Sequence, residues 1–408
     1  MTQPHLLSPR GFRAGAFHAG IKSRGTPDIA LLICDVAASA AAMFTTNTVV
    51  SPAVQVGRRH VAAARLRGVV VNSGNANACT GPQGLRDANR MCTLAADVVG
   101  CKPTQILPSS TGIIGRLLPM QKIERGIAGA AAHLGRGPDH AAAFAGAILT
   151  TDTRRKAAGT RFSVAGRTVT LAGVCKGSGM IGPRLALTSA SSVEPHATML
   201  AYLTTDATIS PSLLRQSLAA AAEGSFNAVT VDDHSSTNDT AAILASGLGP
   251  AIDSPRALRM FSAALTEVCQ SLAYQIAADG EGATKVVRIE IHGAASSADA
   301  RAMARAIANS PLVKCAMHGN DPNWGRIISA AGMCGARFDA DRAALKLQNV
   351  LVFKLGRPVQ FNTSAVSRSL DAKEVIVQLS CRLGKSNATV WTCDLSKEYV
   401  TINADYHT

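Results

Sequence analysis

Aromatic residues are scarce, only 4% of 408. The interior must therefore be filled with small aliphatic side chains, and few rings remain to stack on nucleobases. No apolar run approaches the roughly 18–20 residues that cross a bilayer, so no membrane partner is expected. The amino terminus, MTQPHLLSPRGFRAG, lacks the apolar core of a secretory signal, and cytoplasm is the expected compartment. Ten cysteines, at 34, 79, 92, 101, 175, 269, 315, 334, 381 and 393, include no CxxC pair and no cluster with histidines at metal-ligand spacing. They are expected to be reduced and buried as small hydrophobes, with no metal. A GxSxG elbow is missing too, and KGSGMIGP (176–183) sets its lysine before its glycines, unlike a P-loop. Acidic residues number 27 against 41 basic ones, giving a net charge of +14. The bases are dispersed, the densest groups being Arg58-Arg59-His60 and Arg154-Arg155-Lys156. That pattern implies a solvated basic surface suited to acidic metabolites, not a nucleic-acid partner.

What is present reads as a folded chain in which strands and helices alternate. DIALLICDV (28–36) and GVVVNSG (68–74) have the continuous apolar character of buried strands. LRDANRMCTLAADVVG (85–100) carries helical spacing and closes on Gly100. PMQKIERGIAGAAAHL (119–134) and HAAAFAGAILT (140–150) are further helix candidates, and RFSVAGRTVTLAGVC (161–175) alternates as a hairpin around Ala-Gly-Arg. Ser210-Pro211 supplies an N-cap and an N1 proline for a helix, and a longer amphipathic helix is expected at about 255–277. KVVRIEIHG then reads as a strand and SADARAMARAIA as a helix start. The last third returns to strands: ALKLQNVLVF, EVIVQLSC and ATVWTC, ending in YVTINADYHT. This mixed order favours a layered α+β fold over strict βαβ repeats.

Several polar stretches depart from what packing alone would choose. NSGNANACTG (72–81) reads as an Asx-type turn or a polar ligand cradle. PSSTGIIG (108–115) sets hydroxyls beside a glycine whose N–H can approach a developing oxyanion. DGEGATK (279–285) marks a helix-to-strand turn in which Glu281 either meets an amino group or is simply solvated. Trp324, in DPNWGRIISAAG, reads as a packing residue. EPHATMLAYLTTDATIS (194–210) opens an apolar run on an Ala-Thr pair. Thr198 has no histidine triad to activate it, but cleavage of the Ala197-Thr198 bond would give it an α-amine of pKa about 7.7–8.0 as its own base.

In order, the chain carries FTTN, NSGNANACTG, SSTGIIG, TTDT, KGSGMI, ATML, STNDT, DGEGATK and DPNWGRI. Together these resemble the ornithine acetyltransferase family of arginine biosynthesis, also called glutamate N-acetyltransferase. The similarity runs from PRGFRAGAFHAGIK to the terminal YVTINADYHT. It implies an α+β fold, a layered α/β/β/α sandwich of the N-terminal-nucleophile-like type with a smaller α/β C-terminal portion. It implies self-cleavage at Ala197-Thr198 into an α segment (1–197) and a β segment (198–408) that stay together as a heterodimer within a higher oligomer. Thr198 would be the acyl-accepting nucleophile, with Thr111 and Gly112 as the oxyanion hole. Thr153, Lys176, Thr198, Glu281, Asn403 and Thr408 would line the substrate site. There Lys176 would meet a carboxylate and Glu281 an ammonium group. The implied reaction is ping-pong: N2-acetylornithine acetylates Thr198, ornithine leaves, and glutamate takes the acetyl group. No cofactor is implied, and some members accept acetyl-CoA as donor; the sequence leaves that open.

The chain also departs from the family pattern KGxGMIxPxMATML. Pro183 is followed by RLALTSASSVEPHATML, so LTSASSVEPHA stands as an eleven-residue insertion before Thr198. Thr188 is an alternative nucleophile within it, but only Thr198 is followed by Met-Leu. Two rival readings stay open: a self-processing aminopeptidase or amidase relative, and an uncleaved amino-acid-binding homologue.

Overall fold

The structure, a computed structural model, describes residues 3–23, 25–187 and 199–405. Thr188, Ala197, Thr198 and Thr408 therefore lie outside the described residues. The described chain divides into two compact units, one of residues 3–227 and 234–272, the other of residues 228–233 and 273–405.

In the first unit the strands are β1 (Phe12–Phe17), β2 (Ile29–Phe44), β3 (Arg65–Asn75), β4 (Ile106–Ile113), β5 (Lys156–Val164), β6 (Arg167–Lys176), β7 (Leu200–Thr205) and β8 (Thr240–Ala245). They form one sheet in the order β4-β3-β2-β8-β7-β6-β5, with β1 paired to β2. Only the β3–β4 and β7–β8 pairs are parallel. Helices α1 (Pro52–Val61), α2 (Gly81–Val99), α3 (Met120–Ala132), α4 (Pro138–Ala147) and α5 (Pro211–Glu223) accompany these strands. Helix α6 (Pro255–Ala278) starts in this unit.

The alternation along β2 explains why this sheet is apolar on both faces. Ala30, Leu32 and Cys34 enter one core with Phe144 of α4 and Tyr202 of β7. Ile29, Leu31 and Ile33 enter the opposite core with Met91 of α2 and Ile127 of α3. Each fully buried Leu, Ile, Phe or Met among these contributes about 1.5–3 kcal/mol. The strand continues eight residues past the expected 28–36 segment, through AASAAAMF. Alanine is a poor strand former; pairing with β8, Ala40 opposite Leu244 and Ala42 opposite Ala242, holds it extended.

Local signals elsewhere behave as the sequence implied. Helix α2 ends at Gly100 in the left-handed conformation, though it begins at Gly81, four residues before the expected segment. The β5–β6 hairpin turns at Ala165-Gly166, with Val164 opposite Arg167. Ser210 caps α5 by accepting from the Leu213 N–H.

The second unit is the smaller C-terminal portion. Its strands are β9 (Val286–Ala294), β10 (Ala344–Leu347), β11 (Val350–Lys354), β12 (Arg357–Pro358), β13 (Glu374–Ser380) and β14 (Ser386–Cys393), in the order β12-β11-β10-β13-β9-β14. Helices α7 (Ser297–Asn309), α8 (Pro311–His318), α9 (Trp324–Gly332), α10 (Thr363–Ser369) and α11 (Lys397–Asp405) complete it. One face of this sheet packs on α7 through Ala300, Met303, Ala304 and Ile307. Trp324 stacks on Phe353 at 5.4 Å, the packing role its context suggested. The terminal stretch corrects an expectation. Tyr399–Asp405 is helical, not a strand. Val400-Thr401-Ile402 has strand composition, but Glu398 sits in the first helical turn. Thr401 and Asn403 also bond back to the Lys397 and Tyr399 carbonyls.

The α+β class is thus met by two mixed sheets, each carrying helices. All ten cysteines are free; six are buried, while Cys79 and Cys315 are exposed. Among the described residues no helix is long and apolar enough to cross a membrane.

Candidate active site

In the first unit, the polar ends of β3 and β4 run side by side. Ser110 pairs with Asn72 and Thr111 with Ser73, and the register then slips around Gly74 and Asn75. The Ser110 hydroxyl donates to Asn72 Oδ1 (2.6 Å), and Asn72 Nδ2 donates to the Asn75 carbonyl (2.8 Å). Beyond β3, the Asn77 N–H donates to Asn75 Oδ1 (2.8 Å), so the Asx turn read from NSGNANACTG is present. Thr111 is buried. Gly112 has φ +129°, and a Cβ there would lie 2.4 Å from the Gly74 carbonyl carbon. Backbone on both counts excludes any side chain at this position.

A second group of residues surrounds Asp152 of the TTDT motif. Its carboxylate takes N–H bonds from Gly177 (2.6 Å) and Thr150 (3.2 Å) and an ammonium bond from Lys156 (2.6 Å). Lys176 Nζ stands 4.0 Å away. Burial would push this carboxyl up, but Lys176, Lys156 and the Gly177 N–H outweigh it and hold it at about 2. Lys156 is wholly buried, which corrects the reading of Arg154-Arg155-Lys156 as solvated surface. Thr153, beside Asp152, is exposed. Lys22 joins this cluster electrostatically. Burial lowers its ammonium to about 8 despite the pull of Asp28 and Asp152, and Lys176 adds to the lowering. Its Nζ donates to the carbonyls of Leu149 (3.1 Å) and Ala147 (3.3 Å). Three lysines thus share a mostly buried neighbourhood with Asp152, an arrangement that favours an incoming carboxylate.

The STNDT motif supplies the third group. Asn238 Nδ2 donates to the carbonyls of Ala76 (2.7 Å) and Ser110 (2.8 Å), tying this segment to the strand that carries Thr111. Thr45 of FTTN donates to the Ser236 carbonyl (2.6 Å). Asp239 is fully buried and accepts the N–H of Met199, the residue after Thr198. Burial raises its carboxyl well above the usual range, against the Met199 bond and the charge of Lys176. One residue further on, Leu200 is flanked by Lys176 on β6 and Thr240 on β8. On the other side of the insertion, Ala186 exchanges backbone hydrogen bonds with Phe44 (3.0 Å).

In the second unit, the DGEGATK turn is organised by Asp394. Its carboxylate accepts the Thr284 hydroxyl (2.6 Å), the Thr284 N–H (2.8 Å) and His318 Nδ1 (2.7 Å). Glu281 is 8% exposed, so it is not the solvated turn residue that local context favours. Asn403 Nδ2 donates to its Oε2 (2.9 Å). The structure therefore brings Thr111, Gly112 and Lys176 into the first unit's sheet and pairs Glu281 with Asn403 in the second. Asp152, Lys156, Lys22 and Asp239 received no role from the sequence, although TTDT, STNDT and the HAGIK end of the first motif hold three of them. Among the described residues, no group of three or more His, Cys, Asp or Glu side chains is placed to hold a metal ion.

Comparison with known proteins covers the whole chain. The ArgJ family model matches residues 13–408. The arginine biosynthesis bifunctional protein ArgJ of Symbiobacterium thermophilum is 44% identical, covering 99% of this chain and 98% of that protein. The protein of the same name from Thermus thermophilus is 44% identical, covering 98% and 99%. A crystal structure of arginine biosynthesis bifunctional protein argJ from Bacillus halodurans is 37% identical, covering 50% of this chain and 98% of that one at a TM-score of 0.49. With its family model matched from residue 13 to 408 and close to half its residues shared with full-length relatives, this chain belongs to the ArgJ family.

Proposed function

We propose that this chain is the acetyl-transfer enzyme of arginine biosynthesis, moving the acetyl group of N2-acetylornithine to glutamate through Thr198. The observation that carries the reading is the setting of Met199 and Leu200. Met199 donates its N–H to Asp239 and Leu200 is flanked by Lys176, in the same sheet whose β4 carries Thr111 and Gly112.

In the self-cleavage step, the Thr198 hydroxyl attacks the Ala197 carbonyl carbon and the peptide C–N bond breaks to an ester. Water then hydrolyses that ester, releasing the Ala197 carboxyl and restoring the Thr198 hydroxyl beside the amine that the C–N cleavage freed. The α segment (1–197) and β segment (198–408) stay together because β7 and β8 of the β segment are hydrogen-bonded to β6 and β2 of the α segment. The new amine then takes the hydroxyl proton as Thr198 Oγ attacks the acetyl carbonyl of acetylornithine. Thr111 and the Gly112 N–H stabilise the oxyanion. Ornithine leaves with the proton, and the glutamate amine attacks the acetyl ester to form N-acetylglutamate. Lys176 receives a substrate carboxylate and Glu281 an ammonium, with Thr153, Asn403 and Thr408 completing the site. These groups supply the chemistry without a cofactor, and acetyl-CoA would enter as an alternative donor to the same hydroxyl.

The test is ornithine formation from acetylornithine plus glutamate, with denaturing mass analysis of the same sample. Activity from fragments of 197 and 211 residues, both absent in Thr198→Ala, is the expected result. A processed and active Thr198→Ala protein would overturn the assignment.

A further inference from the structure

The first unit has another polar cleft, at the far ends of the strands that lead to the candidate active site. Its volume is about 480 Å³, and Arg10, Arg161, Arg167, Thr168, Thr170 and Asp206 line it. That volume is within the roughly 300–1,000 Å³ of small-molecule sites, but charged and hydroxyl side chains replace the usual apolar lining. Charge, not hydrophobic burial, must therefore hold whatever binds there.

Positive charge predominates among the described lining residues. Three guanidinium groups face one carboxylate, and that carboxylate is already engaged. Asp206 Oδ2 meets Arg10 Nε at 3.4 Å, and Oδ1 accepts the Thr170 N–H at 2.9 Å. Asp206 is buried and engaged by Arg10 and the β6 backbone, so guanidinium groups still outnumber carboxylates among the described residues of the lining. Strand register sets Arg161 opposite Thr170 and places Arg167 at the hairpin end. The positive field reaches the N-terminal segment: burial lowers the His5 imidazole, and Arg161 lowers it further.

We propose that this cleft binds a small phosphate-bearing polyanion, gripped by Arg161 and Arg167 with Arg10 as the third cation. Planar guanidinium forks suit phosphate oxygens, and the threonine hydroxyls supply neutral donors. The site is separate from the acetyl-transfer centre. Asp206 follows the end of β7 while Met199 precedes its start, and the five residue steps of β7 alone span roughly 17 Å. Thr170 and Lys176 are likewise near opposite ends of β6. Binding here does not depend on the acetyl-transfer reading.

The probe is inorganic pyrophosphate, titrated calorimetrically into the full chain at low salt. Saturable binding of one pyrophosphate per chain is expected, with the dissociation constant rising roughly tenfold or more in the Arg161→Gln/Arg167→Gln double variant. Arg167→Glu alone, at an exposed hairpin position, should weaken binding as well, giving an independent substitution. Lys176→Gln should leave the constant unchanged, acetyl transfer should persist in the arginine variants, and added salt should weaken binding. Saturation should also raise the His5 titration midpoint, read by NMR, by offsetting the Arg161 charge. No saturable binding, an unchanged constant in the double variant, acetate binding as tightly as pyrophosphate, or loss of binding in Lys176→Gln would each overturn the proposal.

Discussion

The two units treat polar residues differently. In the first, β2 is buried on both faces, so an ionisable side chain inside must be held by specific partners. Asp152, Lys156 and Asp239 meet that condition. In the second, β13 alternates buried Val375, Val377 and Leu379 with half-buried Glu374, Ile376, Gln378 and Ser380. A polar residue on that face needs no special reason. Buried ionisable groups in the first unit therefore point to chemistry, whereas in the second they gather around Asp394: Glu281 and Lys285 in the loop, and Lys314 of α8, whose Nζ donates to the Cys393 carbonyl.

The sharpest break of this contrast is Asp152→Ala. It leaves Lys156 buried without its carboxylate and should destabilise the first unit by about 3–5 kcal/mol, measured by chemical denaturation. The pH dependence has a definite sign. Asp152 is held below its ordinary 3.8, at about 2, so its stabilisation is present above about pH 4 and is lost as pH falls toward 2. The wild-type and Asp152→Asn stability curves should converge in that acid window. Next is Gly112→Ala, which sets a Cβ 2.4 Å from the Gly74 carbonyl carbon. If the Gly112 N–H serves the oxyanion, kcat should fall about 10²–10³-fold, and an unchanged kcat would remove it from that role.

Asp239 sharpens the comparison in the other direction. Its carboxyl is raised, so the folded state keeps a proton that the unfolded chain releases near its ordinary 3.8, and its contribution to stability declines as pH rises above that value. Asp239→Asn keeps an acceptor for Met199 and should leave stability at neutral pH equal to or above the wild type. A destabilisation like that of Asp152→Ala would show that Asp239 is charged. The smallest effect belongs to Glu374→Ala in the second unit, where the Arg288 pair at 2.9 Å is about one-third exposed. The loss should stay below about 1 kcal/mol.

Local chemistry made much of this architecture legible. The apolar run at 28–36, the Ala-Gly hairpin, the Ser-Pro helix start and Gly100 each carry their cause within a few residues. The helix at the C-terminus was not legible, because Val400-Thr401-Ile402 resembles a strand and its stabilising bonds come from Thr401 and Asn403 side chains. The extension of β2 through alanines was not legible either, since β8, some 200 residues away, holds it. At the candidate site, Thr111, Gly112, Lys176, Glu281 and Asn403 came from the family resemblance that the ordered motifs and the terminal stretch carry. Lys156 was misread because an Arg-Arg-Lys string looks solvated until Asp152 is seen beside it. Lys22 and Asp239 draw their character from burial and distant partners, which a linear pattern does not record.

The central claim is an acetyl group carried on Thr198. Treating the purified protein with N2-acetylornithine alone, then measuring fragment masses under denaturing conditions, tests it directly. A C-terminal fragment beginning at Thr198 should gain about 42 Da, mapped to that residue, and lose it when glutamate is added. An uncleaved chain, or an acetyl group on any other residue, would contradict the account.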